Sequence, residues 1–175
     1  MTDATSETLH IAIIGSGSGA FACAIRAAEL GARVTMVERG EVIGGTCVNV
    51  GCAPSKIMIR TAQLAHDRRH VPFEGLNTAE ADIDPLRLMQ QRERRVAELR
   101  QSKYQRIIDE QDAITLLRGE AWFDGPKSLT VRTDHGDQHI APDRILIASG
   151  ASPAIPSIKG LPGTPFWTST QAMRS

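Results

Sequence analysis

The chain has 175 residues, 41% of them apolar, and its twenty basic side chains balance twenty acidic ones. That length supports one ordinary core rather than two complete domains, and a net charge of zero leaves no field to recruit nucleic acid or an anionic membrane surface. No apolar run approaches the roughly 20 residues that span a bilayer, and the polar start Met1–His10, with Asp3 and Glu7, lacks the basic and then apolar profile of a secretory signal. The expectation is a cytoplasmic protein of one domain, preceded by a flexible leader over residues 1–8, with neither nucleic acid nor membrane as partner.

Leu9 to Ile14 is a short apolar run ending at Gly15 and reads as a buried strand. Phe21 to Leu30 is alanine-rich and helical by propensity, and Gly31 stands where a C-terminal cap belongs. Arg33 to Val37 reads as a second buried strand, which completes one right-handed βαβ unit and seeds a parallel sheet. Gly15-Ser16-Gly17-Ser18-Gly19-Ala20 lies at its first turn and fits the G-x-G-x-x-G/A dinucleotide fingerprint. Gly15 permits the tight turn, Gly17 lets backbone approach a pyrophosphate, and small Ala20 lets the helix pack close to the strand. The phosphates would meet free N–H groups at the helix N-terminus. Glu38, about 20 positions on, stands where an acid accepts hydrogen bonds from an adenosine ribose.

After a polar turn at Arg39-Gly40-Glu41, Gly44-Gly45 leads into Thr46-Cys47-Val48-Asn49-Val50-Gly51-Cys52. Thr46 opens a predicted helix to about His66. Four residues separate the two cysteines; at a helix start they come within disulfide reach if the first turn is distorted, and Gly51 eases that distortion. The helix end also favours thiolate. Such a pair exchanges electrons with a flavin, exchanges with a disulfide, or holds a soft metal ion. A second helix is predicted from about Pro85 to Glu110, with Met89, Val96, Leu99 and Ile107 near one face.

Ala113–Leu117, Glu120–Phe123, Ser128–Arg132 and Gln138–Ile140 read as short strands of an antiparallel meander, with turns at Gly125-Pro126 and Asp134-His135-Gly136. Trp122 and Phe123 are expected as core strand residues. Ile145–Ala148 is again a continuous apolar strand, and the tail from Ser152, with four prolines, reads as a connection toward something further. Cys23, among helix alanines, is expected to pack rather than react. His66 and His70 share i, i+4 spacing but show no third metal ligand.

The stretch from Gly44 to Lys56, taken with the glycine loop, resembles the pyridine-nucleotide-disulfide oxidoreductases, a family that includes glutathione reductase, lipoamide dehydrogenase and mercuric reductase. The resemblance covers essentially the whole chain. It implies an α/β Rossmann-like FAD-binding domain, a parallel sheet with a small antiparallel β-meander, incomplete at its C-terminus. Residues 151–175 would lead toward an NAD(P)H domain outside the chain. It implies FAD held by Gly15, Gly17 and Ala20 at the pyrophosphate, with Glu38 on the ribose and Gly40 close by. Thr46 and Lys56 would lie beside the flavin, Ala121 would meet the adenine, and Ala148-Ser149-Gly150 would stand for the family's A-T-G strand end. Within that pattern Cys52 faces the flavin, Cys47 exchanges with substrate, and the two join in a redox disulfide. Lys56-Ile57-Met58-Ile59-Arg60 and Trp167-Thr168-Ser169-Thr170 look most like the mercuric reductase branch, in which NADPH is the co-substrate and both cysteines hold Hg(II). The other branches imply a small disulfide substrate, and the family pattern implies a homodimer when full length. Ala53 departs from the bulkier aliphatic residue usual before Pro54. The isolated 175 residues are expected not to turn over, because later flavin contacts, the NADPH domain and the dimer domain lie elsewhere.

Overall fold

A computed structural model describes residues 8–174. The expected leader falls, for residues 1–7, outside them. The chain divides into two compact units, one holding the residues up to Gly45 together with Arg100–Ala151, the other Thr46–Leu99 and the residues from Ser152.

In the first unit, β1 (His10–Ile14), α1 (Ser18–Glu29) and β2 (Arg33–Glu38) form the expected βαβ unit. Every partner in the β1–β2 ladder runs parallel, from His10 against Arg33 to Ile14 against Val37. The helix closes as the sequence requires: Gly31 N–H donates to Ala28 O at 2.9 Å and Ala32 N–H to Ala27 O at 2.9 Å, satisfying carbonyls that would otherwise be orphaned. Its buried face is Ala20, Phe21, Ala24 and Ala27, packed with Ile13, Val34, Met36 and Ile114 into one core. Burying Phe21 alone contributes roughly 1.5–3 kcal/mol, and three alanines beside it let the helix backbone lie close to the sheet. Cys23 packs against the same core, as its alanine surroundings suggested.

Two strands extend the sheet, β3 (Ile114–Arg118) beside β2 and β7 (Arg144–Ile147) beside β1, giving the all-parallel order β3-β2-β1-β7. β3 therefore does not belong to the meander in which the sequence grouped it. The meander holds only β4 (Glu120–Gly125), β5 (Ser128–Thr133) and β6 (Gly136–Ile140), antiparallel in that order. Its core is Leu129 and Val131 of β5. Trp122 and Phe123 are 36% and 48% exposed and are not core residues. They lie on an edge strand, and Trp122 takes Arg132's guanidinium over its ring at 5.0 Å instead.

Both predicted long helices are broken. The first becomes α2 (Gly45–Val50) and α3 (Cys52–Arg69), separated at Gly51. The second is α4 (Pro85–Arg100), a five-residue π turn over Gln101–Gln105, and α5 (Arg106–Glu110). In the second unit Val48, Pro54, Arg92 and Val96 are the buried residues of its helices, and Met89 and Leu99 are half-buried, as their predicted face requires. In the first unit Tyr104 and Ile107 pack on the core. The tail carries a 3-10 turn at Leu161–Gly163 and a short helix, α6 (Ser169–Arg174). Among the described residues no helix is long and apolar enough to cross a membrane.

Candidate functional site

The first unit builds a phosphate loop from its sheet. Gly15 leaves β1 with φ +112, its N–H donating to Val37 O at 2.7 Å. A Cβ at Gly15 would stand 2.3 Å from the Ala148 carbonyl oxygen, so the loop and the end of β7 approach each other only because that atom is missing. Gly17 is the N-cap of α1 in extended conformation, with no side chain capping the helix and no acid in its first turn. The first N–H groups of α1 are thus left to an anion. A Cβ at Gly45 would come within 2.7 Å of Gly17 Cα, so these two backbones also touch. Ala20 is fully buried beneath the loop.

Glu38 ends β2, where its carboxylate accepts from the Gly40 N–H at 2.7 Å through Oε1 and from the Ser16 hydroxyl at 2.5 Å through Oε2. Gly40 is held from its other side by Arg118, which donates to its carbonyl at 2.8 Å. The sequence reading gives no role to Ser16 or Arg118. The fingerprint leaves position 16 free to vary, and nothing in a linear pattern pairs residue 118 with residue 40. Ala148 and Gly150 follow β7, and Ala148 N–H donates to Ile14 O at 2.8 Å. Ala121 sits in β4 opposite Val131. Gly15, Gly17, Ala20, Glu38, Gly40, Ala121, Ala148 and Gly150 thus all belong to one unit.

Thr46, Cys47, Cys52 and Lys56 belong to the other. Cys47 lies in α2 and Cys52 opens α3, both exposed as free thiols. The helix breaks between them at Gly51, whose backbone at φ −130, ψ −113 is not helical and where a Cβ would meet the Thr46 carbonyl oxygen at 2.9 Å. The thiols interact directly. A hydrogen bond donated by Cys47 to Cys52 is the main cause that pushes the Cys47 thiol above its ordinary range, with partial burial and the charge of Cys52 adding to it; the Cys52 backbone N–H and the Lys56 charge pull the other way. Two neighbouring thiols joined by a hydrogen bond, with an ammonium near, form a pair suited to exchange or to a soft ion. His66 and His70 stack with ring centroids 4.1 Å apart, and among the described residues no group of three or more His, Cys, Asp or Glu is placed to hold a metal. A groove of the second unit, about 380 Å³ beside Thr61, Leu64, Arg68 and Ile83, includes none of the predicted site residues.

A family model described as pyridine nucleotide-disulphide oxidoreductase matches residues 9–175. Among curated relatives, mercuric reductases of Shewanella putrefaciens and Shigella flexneri are each 53% identical, over 97% and 98% of this chain and 30% of their own length. That of Serratia marcescens is 51% identical over 95% of this chain and 36% of its own. The chain thus spans about a third of the length of the curated relatives it matches. Among solved structures, the HOCl-induced flavoprotein disulfide reductase RclA from Escherichia coli superposes with a TM-score of 0.76 at 29% identity, over 95% of this chain and 34% of that one. Its Cu(II) complex gives 0.77 at 28%, over 97% and 35%. With glycine loop, thiol pair and sheet order all in place, the chain belongs to the pyridine nucleotide-disulphide oxidoreductase family.

Proposed function

We propose that this chain is the FAD-binding part of an NADPH-dependent mercury(II) reductase. The observation that carries the reading is the interacting Cys47–Cys52 pair at a helix start, in a chain 51–53% identical to mercuric reductases along nearly its whole length. FAD fits the residues present: the uncapped start of α1, free of acids, suits a pyrophosphate, and Glu38 suits a ribose hydroxyl. Gly15, Gly17 and Ala20 would hold the phosphates, Glu38 and Gly40 the ribose end, Ala121 the adenine, and Ala148, Gly150, Thr46 and Lys56 the remainder. When bound, the flavin supplies two-electron chemistry between NADPH and the sulfur pair.

The chain's own part is to bind the substrate. Each cysteine sulfur gives up its proton, and the two thiolates hold Hg(II), a soft ion matched to soft ligands. Lys56, whose charge pulls the Cys47 thiol downward, favours that loss, and the exposure of both sulfurs leaves the ion a path in. Disulfide exchange at the same pair is the second reading, supported by the flavoprotein disulfide reductase at 29% identity; the higher identity favours mercury. By the same resemblance, residues 151–175 lead toward an NAD(P)H domain and the intact protein is a homodimer. A reducing compartment such as the cytoplasm suits a working dithiol.

The test uses the intact protein that contains this chain. It should purify yellow and oxidise NADPH when Hg(II) is added; Cys47→Ser and Cys52→Ser should each reduce that oxidation to background while the flavin stays bound. A colourless protein, or one whose Hg(II)-dependent rate survives both changes, refutes the proposal.

A further inference from the structure

Ser16 occupies the open position between the first two glycines of the loop, yet its side chain is almost wholly buried, 1% exposed. Its hydroxyl donates to Glu38 Oε2 and its carbonyl accepts the Gly44 N–H at 2.9 Å, so both ends of the residue are committed. On the other side of the carboxylate, Gly40 N–H donates to Oε1. A carboxylate offers about four acceptor sites on two oxygens. With one donor fixed on each oxygen, one site per oxygen remains, and neither is free to turn: the terminal torsion of glutamate is soft by itself, but here it is clamped from both ends. Adjacent oxygens with one opening apiece match two adjacent hydroxyls. A phosphate in place of either hydroxyl would face the carboxylate's charge.

We propose that Ser16 is a positioning residue for the nucleotide: it holds the Glu38 carboxylate in the orientation that accepts both hydroxyls of the adenosine ribose, and so selects a dinucleotide whose ribose is unphosphorylated. This rests on the reading of the glycine loop as the FAD site. Removing the hydroxyl leaves the Glu38 carboxylate, among the described residues, held by the Gly40 N–H, and it loses its preference for a diol without losing the phosphate loop.

The test is titration of the flavin-stripped intact protein with FAD and with its 2′-deoxyadenosine analogue, read by quenching of flavin fluorescence. Wild type should bind FAD about tenfold tighter than the analogue, the scale of one charge-assisted hydrogen bond. In Ser16→Ala the ratio should fall close to one, through weaker FAD binding, with the unfolding midpoint of the flavin-free protein unchanged. Ser16→Gly, a second variant without the hydroxyl, guards against a folding defect in the first and should behave alike. An unchanged ratio, or equal weakening of both ligands, overturns the proposal. If wild type takes up neither ligand, the FAD reading of the loop falls instead, and the inference with it.

Discussion

An alanine at position 15 would put its methyl carbon 2.3 Å from the Ala148 carbonyl oxygen on a backbone with φ +112. Both penalties act on the folded state, so Gly15→Ala should cost about 3 kcal/mol or more in denaturant unfolding. At Gly17 the added carbon meets only Gly45 Cα, at 3.9 Å. Gly17→Ala should therefore leave the flavin-free protein within about 0.5 kcal/mol of wild type yet weaken FAD by at least about tenfold, because the methyl occupies the approach to the phosphates. The thiol pair has its own signature. Since its bond to Cys52 is the chief reason that Cys47 holds its proton to higher pH than an ordinary thiol, Cys52→Ala should move the pH profile of Cys47 alkylation by iodoacetamide downward, as measured by mass spectrometry. An unmoved profile would mean that burial, not the partner sulfur, governs it. Gly15, Gly17 and Glu38 were legible in the sequence because their spacing is a backbone requirement of one βαβ turn. Ser16 was not, since its importance arises from a side-chain bond across 22 positions that no spacing rule encodes.

Gly51 separates α2 from α3 with a non-helical backbone, and a side chain there would press on the Thr46 carbonyl, with a Cβ only 2.9 Å away. Gly51→Ala should shift one helix end relative to the other and disturb the reach between Cys47 and Cys52. The expected result is slower disulfide formation on mild oxidation, followed by thiol titration, with little change in helix content by circular dichroism. At the head of the sheet, His10 is 7% exposed, with its ring Nε2 2.9 Å from the Thr35 hydroxyl and its backbone N–H donating to the Asp143 carboxylate. Burial first, then the Arg33 charge, lowers its pKa, against a smaller raising effect of Asp143. The neutral ring is the one the fold prefers. Stability from this group is present above the ordinary histidine pKa and is lost as pH falls through it toward the lowered value. The unfolding midpoint should therefore drop on acidification through this range by more than in a His10→Gln variant. Strands and helices were mostly legible from apolar runs and alanine content. The placement of β3 was not, because a short apolar strand carries no mark of whether its neighbour runs parallel. The π turn was likewise hidden, since one inserted residue barely disturbs a helical pattern over the 16 residues of α4.

For the molecule as a whole, the chain spans about 30% of its mercuric reductase relatives, and the glycine loop belongs to one of its two units and the thiol pair to the other. Purified by itself, the 175-residue chain should show no mercury-dependent NADPH oxidation; robust turnover would overturn the expectation that the rest of the site is required. The order β3-β2-β1-β7 also bears on how the protein is made. β1 is an inner strand, yet one of its neighbours is β7, tied to it by a bond between His10 and Asp143 that closes 133 positions of chain. During synthesis the ribosome must deliver the 133 residues that follow His10, up to Asp143, before that flank of β1 is covered. Until then an apolar strand has a bare edge, open to any other nascent chain. Ribosome-bound lengths that stop short of Arg144 should engage holding chaperones, and those that pass Ile147 should release them.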